Sequence, residues 1–293
     1  MTITTRRKLI VGCVASVAVL YCMFVLTRWG QSIDNAAKVH ISVHRYNRQL
    51  RLHGLPSVRQ ISSTIPIVAG LITTSAIARW HSKRPLQTLL IVVVVVAPAV
   101  LISKLLKLVL PHPSLTTYPA WNGGATFPSG HVAFVAALAL CCFFLMPRRR
   151  RFQGGFMCTA LAGAMMLGVI IDGRHRPSDA VASMGVVVAW FLFMAPYITT
   201  VGEGSSHYIG PTFVRTALGL GACSIGVLST VGFDDFPPTV ATVDRAMAGA
   251  VLLVGATSLI FHHMMTTYLS DIVLRMPTPE RESLVSRAGL TAK

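Results

Sequence analysis

The feature that most constrains this chain is a series of long apolar stretches, each close to the length of a membrane-spanning helix. A helix rises about 1.5 Å per residue, so about 20 apolar residues cross the roughly 30 Å hydrocarbon layer of a bilayer. Only 12% of the residues are charged and 53% are hydrophobic, which is too apolar for a soluble domain of 293 residues. The predicted spans are Leu9–Leu26, Ile61–Ala78, Leu86–Leu110, His131–Met146, Phe156–Ile171, Ala180–Val201, Phe213–Gly232 and Met247–Ile272.

All of these spans are predicted to be helices, because backbone groups in lipid must be hydrogen-bonded within the segment and the alternating pattern of a membrane barrel is absent. The predicted fold class is an all-α membrane protein with about eight transmembrane helices. Residues 1–201 would form a six-helix core, 202–275 a C-terminal two-helix appendage and 276–293 a cytoplasmic tail. Residues 28–58 are either a helix lying along the outer membrane surface or an ordinary polar loop.

The positions of Lys and Arg in the short loops predict the orientation in the membrane. With the N-terminus inside, the cytoplasmic side receives Arg6 to Lys8, Arg79 to Arg84, Arg148 to Arg151 and the basic tail. Both termini are then cytoplasmic, and the cell membrane is the predicted location. The basic segment 28–58 is the exception, on the outer side. We interpret the net charge of +16 as contact with anionic lipid headgroups, so no nucleic-acid partner is predicted.

Three polar clusters interrupt the apolar pattern, and the predicted orientation places all three at the outer face. Residues 104–113 end the third span, residues 127–131 open the fourth, and residues 172–179 lie between the fifth and sixth. Polar and ionisable side chains that meet at one level of a membrane protein usually serve a function. The sequence therefore predicts an extracytoplasmic site built from these clusters.

The second cluster has the composition of an anion site. Pro128 suits the first turn of a helix, Ser129 offers a hydroxyl, and Gly130 lets an anion approach the backbone. The fourth span starts here, so unpaired N–H groups and the positive end of the helix dipole would face the loop. His131 stands beside these groups. A phosphate site with an adjacent histidine is the predicted result.

In the third cluster, His175 and Asp179 are four residues apart, a spacing at which helical side chains meet. A carboxylate on one ring nitrogen fixes the histidine tautomer and leaves the other nitrogen free to attack. Arg174 and Arg176 flank the pair. The alternative is that these basic residues extend to lipid headgroups, with Asp179 as a helix cap.

The first cluster contributes cations. Lys104 and Lys107 are three residues apart and so share a helix face, where at least one is a candidate phosphate ligand. The ordinary alternative is that both extend to the membrane interface. His112 and Pro113 follow them.

The three clusters, in this order, resemble the three signature motifs of the type 2 phosphatidic acid phosphatase superfamily of membrane lipid phosphatases. Pro128–His131 matches the second motif in full, while His175 and Asp179 match the distal half of the third. The resemblance covers about residues 60–200. Two positions depart from it: His112-Pro113 stands where the family has Arg-Pro, and Gly168-Val169 stands where it has Ser-Arg.

The resemblance implies hydrolysis through a phosphohistidine on His175, with Asp179 orienting that ring and His131 protonating the leaving lipid oxygen and later activating water. Ser129 and Gly130 would cradle the phosphoryl oxygens, and no metal or cofactor is implied. Polyprenyl diphosphate, phosphatidylglycerol phosphate and phosphatidate all fit as substrates. The candidates for replacing the missing arginines are Lys104, Lys107, His112, Arg174 and Arg176.

Two other functions are open at this point. The departures from the motifs would also suit a non-catalytic relative that binds or moves a lipid phosphate or supports a protein partner. A phosphotransferase would use the same phosphohistidine, with an alcohol replacing water. The sequence leaves the oligomeric state open. A histidine pair within a span can be functional, but we interpret His262-His263 in the last span as a packing feature or an interior hydrogen bond.

Overall fold

The computed structural model describes residues 2–48, 58–81, 85–116, 126–147, 150–201, 211–231, 239–269 and 272–274. Within them the chain is almost entirely helical, with one short antiparallel ribbon of two strands. In chain order the elements are α1 (Ile3–Leu20), a π-helical turn (Tyr21–Val25), α2 (Arg28–Arg48), α3 (Val58–His81), α4 (Pro85–Val109), α5 (Gly130–Leu145), α6 (Arg151–Ile171), α7 (Pro177–Ile198), β1 (Thr199–Val201), α8 (Pro211–Leu228), α9 (Val240–Tyr268) and β2 (Ile272–Leu274). The strands pair Thr199 with Leu274.

Each predicted span overlaps one of these helices, and the all-α prediction is confirmed. Among the described residues, five helices are long and apolar enough to cross a membrane. These are Ile3–Val25, Val92–Val109, Arg151–Ile171, Pro177–Tyr197 and Val240–Tyr268. Three more apolar helices are shorter, namely Ile65–Ala76, Gly130–Leu145 and Val214–Leu228. The count of eight spans therefore stays a prediction.

The short helix α5 is the centre of the bundle. Its side chains are buried from Val132 to Leu145 except for the half-buried Phe134, and it packs against α3, α4, α6 and α7. Phe144 stacks on Phe191 of α7 with ring centroids 4.4 Å apart. A helix of 16 residues spans only about 24 Å. Since α5 is enclosed by protein, its length need not match the lipid layer.

The helix α2 differs from both interpretations of segment 28–58. Its residues 30–37 are all buried, so its first turns lie inside the protein. The apolar side chains of Ile33, Ala36 and Ala37 join a cluster with the ends of α8 and α9. Residues 49–57 of the predicted surface segment lie outside the described residues.

The C-terminal helices pack closely on the preceding ones. Helix α9 contacts α2, α6 and α7 as well as α8. Its residues Phe261 and Met265, and Leu269 directly after its end, belong to the main hydrophobic core. His262 is buried against the rings of Phe152 and Phe156, as expected for a packing residue. The predicted tail, residues 276–293, lies outside the described residues.

Arg151 differs from the contact with lipid headgroups that was predicted for the basic residues. Its side chain is only 4% exposed, and its guanidinium donates hydrogen bonds to the carbonyl oxygens of Phe144 and Met146. These carbonyls belong to the C-terminal end of α5, where orphan acceptors attract a cation. Arg151 therefore caps the central helix. Residues 148–149 lie outside the described part of the chain.

Candidate active site

All three polar clusters meet at one end of the helix bundle. The backbone N–H of Ser129 donates to the carbonyl oxygen of Asp179 at 3.1 Å, which joins the second cluster to the third. The ring of Tyr21 lies 5.6 Å from that of Phe127 and 6.3 Å from that of His112, which brings the first cluster beside the second. The predicted convergence at one level is thus present. Its assignment to the outer face stays a prediction from the positions of Lys and Arg.

The second cluster forms the start of α5. Ser129 is the N-cap residue, and its fully buried Oγ accepts a hydrogen bond from the N–H of Val132 at 3.4 Å. Pro128 therefore precedes the cap and does not occupy the first turn. A Cβ atom added to Gly130 would meet no atom within 4 Å, so open space lies over this backbone. Ser129 caps the N–H of Val132, and helix geometry leaves the N–H groups of Gly130 and His131 without intrahelical partners.

The third cluster is a tight turn between α6 and α7. Gly173 has φ of 66°, a left-handed conformation in which a Cβ atom would be strained. The turn lets the N–H groups of Arg174 and His175 both donate to the carbonyl oxygen of Val169, at 3.1 and 3.2 Å. The hydroxyl of Ser183 in α7 donates to the carbonyl oxygens of Ser129 and Asp179, which connects α7 to the start of α5. His175 is thereby held at the entrance to α7.

His175 and Asp179 form the predicted pair. The Nδ1 atom of His175 lies 3.4 Å from Oδ2 of Asp179, a long contact that leaves Nε2 as the nitrogen opposite the carboxylate. The same Oδ2 accepts the N–H of Arg176 at 2.9 Å, which fixes the carboxylate. The carboxyl group is fully buried and the ring of His175 is 6% exposed. Such a carboxylate can hold the imidazole in one tautomer.

The exposed ring of His131 faces this pair. The ring centroids of His131 and His175 are 6.0 Å apart, and the planes are inclined by 64°. A phosphoryl group between two imidazoles needs about 3 Å from its reacting atoms to each ring nitrogen. The separation therefore suits one histidine as nucleophile and the other as proton donor.

Two cations surround the histidines. Arg174 and Lys107 both act electrostatically on His131, and Lys107 also acts on Asp179. The side chain of Arg174 is 40% exposed, with its Nε atom 3.7 Å from Oδ2 of the buried Asp172. These two residues have the positive charge that phosphate binding requires. Arg176 is committed elsewhere, since its Nε donates to Oδ1 of Asn35 at 2.9 Å.

The other candidates lie at the margin. Lys104 is exposed and lines an apolar cavity between α3, α4 and α5. His112 is half-buried, and its Nε2 atom has no hydrogen-bond partner among the described residues. Val169, where the family has an arginine, has its side chain in the main core. Within the described ranges, no group of three His, Cys, Asp or Glu side chains is arranged to hold a metal ion.

The sequence comparisons agree with these motifs. Residues 88–201, which include all three clusters, match the model of the PAP2 superfamily. The chain carries a PAP2 superfamily domain. No curated protein and no solved structure matches the chain. With its apolar helices, it is a membrane phosphatase-like protein, and the predicted family is confirmed.

The PAP2 domain receives further site contacts from α2, which lies outside the matched residues. Asp34 is 1% exposed; its Oδ1 accepts the N–H of Ser178 at 3.3 Å and its Oδ2 accepts the Ser178 hydroxyl. Burial raises the pKa of Asp34 from its ordinary value of 3.8 to about 7, and the neighbouring Asp179 adds to the rise. Ser178 and Arg176 oppose it.

Sequence reasoning did not identify Asp34 as part of the site. A usable signal was present, because Gln31, Asp34, Asn35 and Lys38 recur at the spacing of one helix face. This face lies in a basic segment that was interpreted as peripheral. Apolar residues on the opposite face, such as Ile33 and Ala37, fit a helix buried on both sides.

Proposed function

We propose that the chain is an integral membrane lipid phosphatase that hydrolyses a phosphomonoester or diphosphate of a lipid through a phosphohistidine intermediate. The lipid is a polyprenyl diphosphate, phosphatidylglycerol phosphate or phosphatidate, presented at the extracytoplasmic face. The observation that carries the proposal is the opposed pair of rings, His131 and His175, with Asp179 behind the second ring.

In the first step, the Nε2 atom of His175 attacks phosphorus, and the bond from phosphorus to the lipid oxygen breaks. His131, as an imidazolium, gives its proton to that leaving oxygen. The phosphohistidine then carries the phosphoryl group, and the buried Asp179 carboxylate balances the charge on the ring. In the second step, neutral His131 removes a proton from water, whose oxygen attacks phosphorus and releases inorganic phosphate and His175.

The phosphoryl oxygens are stabilised by the start of α5 and by two cations. Open space over Gly130 admits the anion to the first-turn N–H groups, where the helix dipole favours negative charge. Arg174 and Lys107 replace the arginine clamp of the family motifs. In this assignment Ser129 acts as the helix cap that keeps these N–H groups in place.

The apolar cavity beside Lys104 supports an amphipathic substrate. It has a volume of about 770 Å³ and is lined by apolar side chains of α3, α4 and α5, including Leu71, Val96 and Phe134. Lys104 lies one turn before Lys107 on α4. A lipid chain in this cavity would therefore place its headgroup near the histidines.

The activity is tested with the full chain in detergent micelles or lipid vesicles. Phosphate release is measured from phosphatidate, phosphatidylglycerol phosphate and a polyprenyl diphosphate, for the wild type, His175→Ala and the matched control His263→Ala. We expect release from at least one substrate, loss in His175→Ala, and retention in His263→Ala, which lies on α9 away from the site. Acid-labile phosphate on the wild-type protein quenched during turnover, and absent from His175→Ala, would identify the intermediate.

Other outcomes separate the alternatives. Binding of these lipids without phosphate release would contradict the proposal in favour of a non-catalytic relative. Transfer of the phosphoryl group to an added alcohol, at the expense of water, would favour a phosphotransferase.

The side of the membrane needs its own experiment. Single cysteines are placed at the exposed Ser114, near the site, and at the exposed Gln153, at the other end of α6, in a protein whose native cysteines are replaced. We expect a membrane-impermeant maleimide to label position 114 in intact cells and position 153 only after permeabilisation. The reverse pattern would place the site in the cytoplasm.

A further inference from the structure

We propose that Asp34 and Asn35 of α2 are positioning residues, which hold the entrance of α7 so that His175 faces His131. The proposal rests on the phosphatase function proposed above and assigns it residues outside the PAP2 domain match, residues 88–201. Neither side chain needs to touch substrate, because both act on the backbone and side chains of the third cluster.

The contacts concentrate on the segment Arg176–Asp179. Asp34 receives both the N–H and the hydroxyl of Ser178, the second residue of α7. Asn35 accepts from Nε of Arg176 at 2.9 Å. Arg176 and Ser178 lie three residues and one residue before Asp179, whose carboxylate orients His175. Two neighbouring residues of α2 therefore hydrogen-bond to the same turn at the start of α7.

The same helix face also holds the loop of the first cluster. Gln31 donates from Nε2 to the carbonyl oxygen of Pro113 at 2.6 Å, and its Oε1 accepts the N–H of Leu115 at 3.0 Å. Asn35 donates from Nδ2 to the hydroxyl of Thr116 at 3.0 Å. The polar face of α2 thus cross-links the first and third clusters.

The opposite face of α2 anchors it to the C-terminal helices. Ile33, Ala36 and Ala37 pack against Leu228 at the end of α8 and Ala246 in α9. His40 lies 3.0 Å from the carboxylate of Asp244 on α9. The C-terminal helices α8 and α9 therefore hold α2 in place. Because α2 positions the third cluster, α8 and α9 contribute indirectly to the geometry of the site.

The charges around Asp34 fit a positioning role. Asp179 and Arg176 are the charged groups of the third cluster that act on it. On the α8 and α9 side, α2 meets apolar residues and, at His40, the carboxylate of Asp244. A neutral Asp34 leaves Asp179 and Asp172, whose Oδ2 lies 3.7 Å from Nε of Arg174, as the acidic groups of the third cluster. An ionised Asp34 adds a further negative charge to a site that must admit an anionic phosphate, so turnover depends on its protonation state.

The test compares full-length Asp34→Ala, Asp34→Asn and Ser224→Ala in the lipid phosphatase assay. Ser224→Ala removes a buried hydrogen bond between α8 and α9, to the carbonyl oxygen of Gly249, and is the control for lost packing. We expect Asp34→Ala to lower kcat about tenfold to a hundredfold with little change in KM, because the reacting groups are misplaced. Asp34→Asn keeps an acceptor for the Ser178 N–H and should restore most of kcat.

The pH dependence of kcat/KM separates the positioning role from a simple packing defect, which would not change its shape. The wild type should lose kcat/KM as the pH rises through neutrality, and Asp34→Asn should lack this component. A folded Asp34→Ala protein with unchanged kcat would overturn the proposal. So would equal losses in Asp34→Ala and Ser224→Ala, or an Asp34→Asn variant no better than Asp34→Ala.

Hydrogen exchange distinguishes this proposal from the function on which it rests. Peptides that cover residues 174–181 should exchange faster in Asp34→Ala but not in Ser224→Ala. If the wild type turns over no substrate and exchange still responds in this way, the phosphatase proposal fails and the positioning role stands. Unchanged exchange in Asp34→Ala overturns the positioning role.

Discussion

The buried carboxyl group of Asp34 predicts a specific dependence of stability on pH. Its pKa rises from 3.8 to about 7 on folding, chiefly because burial disfavours the charged form and Asp179 repels it. Between these values the folded state binds a proton that the unfolded state lacks, so the free energy of unfolding falls as the pH rises. The stability is fully present below about pH 4 and lost as the pH passes 7.

The magnitude follows from the two pKa values. A tenfold change in a binding constant corresponds to about 1.4 kcal/mol, so the full loss is about 4 kcal/mol, of which about 3 kcal/mol falls between pH 5 and pH 8. Asp34→Asn removes the titrating group and keeps the shape of the side chain. The difference in unfolding free energy between the variant and the wild type should grow by this amount in favour of the variant.

The assay is thermal or denaturant unfolding of the purified protein in one detergent at pH 5, 6, 7 and 8. Asp244→Asn is the matched control, because Asp244 is half-exposed and pairs with His40, and surface pairs contribute only about 0–1 kcal/mol. Parallel pH curves for the wild type and Asp34→Asn would refute the reasoning. They would mean that Asp34 is already ionised at pH 5 in the folded state.

Three further substitutions follow from the contacts. In Gly30→Ala the new Cβ would overlap the carbonyl oxygen of Met23, so α2 must shift; we expect about 1–3 kcal/mol of lost stability and reduced turnover. Arg174→Ala should raise KM about tenfold to a hundredfold, because a charge-assisted hydrogen bond contributes about 1.5–3 kcal/mol. Arg151→Gln should destabilise the protein by about 1–3 kcal/mol, as the carbonyls at the end of α5 lose their donor.

The first two of these substitutions have matched controls. Gly226→Ala adds a Cβ where no atom lies within 4 Å, and it should leave the unfolding temperature and turnover unchanged. If Gly30→Ala behaves identically, α2 is not tightly seated. Arg215→Ala, an exposed change on α8, controls for the loss of one charge. If Arg174→Ala and Arg215→Ala have the same KM, Arg174 is not a phosphate ligand. If the unfolding temperature of Arg151→Gln equals that of the wild type, Arg151 does not stabilise the protein by capping α5.

The amino-acid sequence alone was sufficient to predict the helices and the polar clusters from which the proposed site is built. Hydropathy is a local property, so each apolar stretch could be recognised from its own composition. The spacing of His175 and Asp179 is also local, since four residues in a helical segment place two side chains together. The Pro-Ser-Gly-His series was recognisable as a helix start, and the structure places His131 there, although Pro128 lies before the cap.

The tertiary structure decided which polar groups cooperate. Asp34 and Ser178 are 144 positions apart, and only the packing of α2 against the start of α7 brings them together. The same packing engages Arg176 with Asn35, which leaves Arg174 as the more accessible arginine of the cluster. Arg151 is a second example. Its basic sequence context indicates a contact with lipid headgroups, whereas its guanidinium donates to a buried carbonyl oxygen at the end of α5. Local composition sets which segments enter the membrane, whereas the partners of their polar side chains depend on distances between helices far apart in sequence.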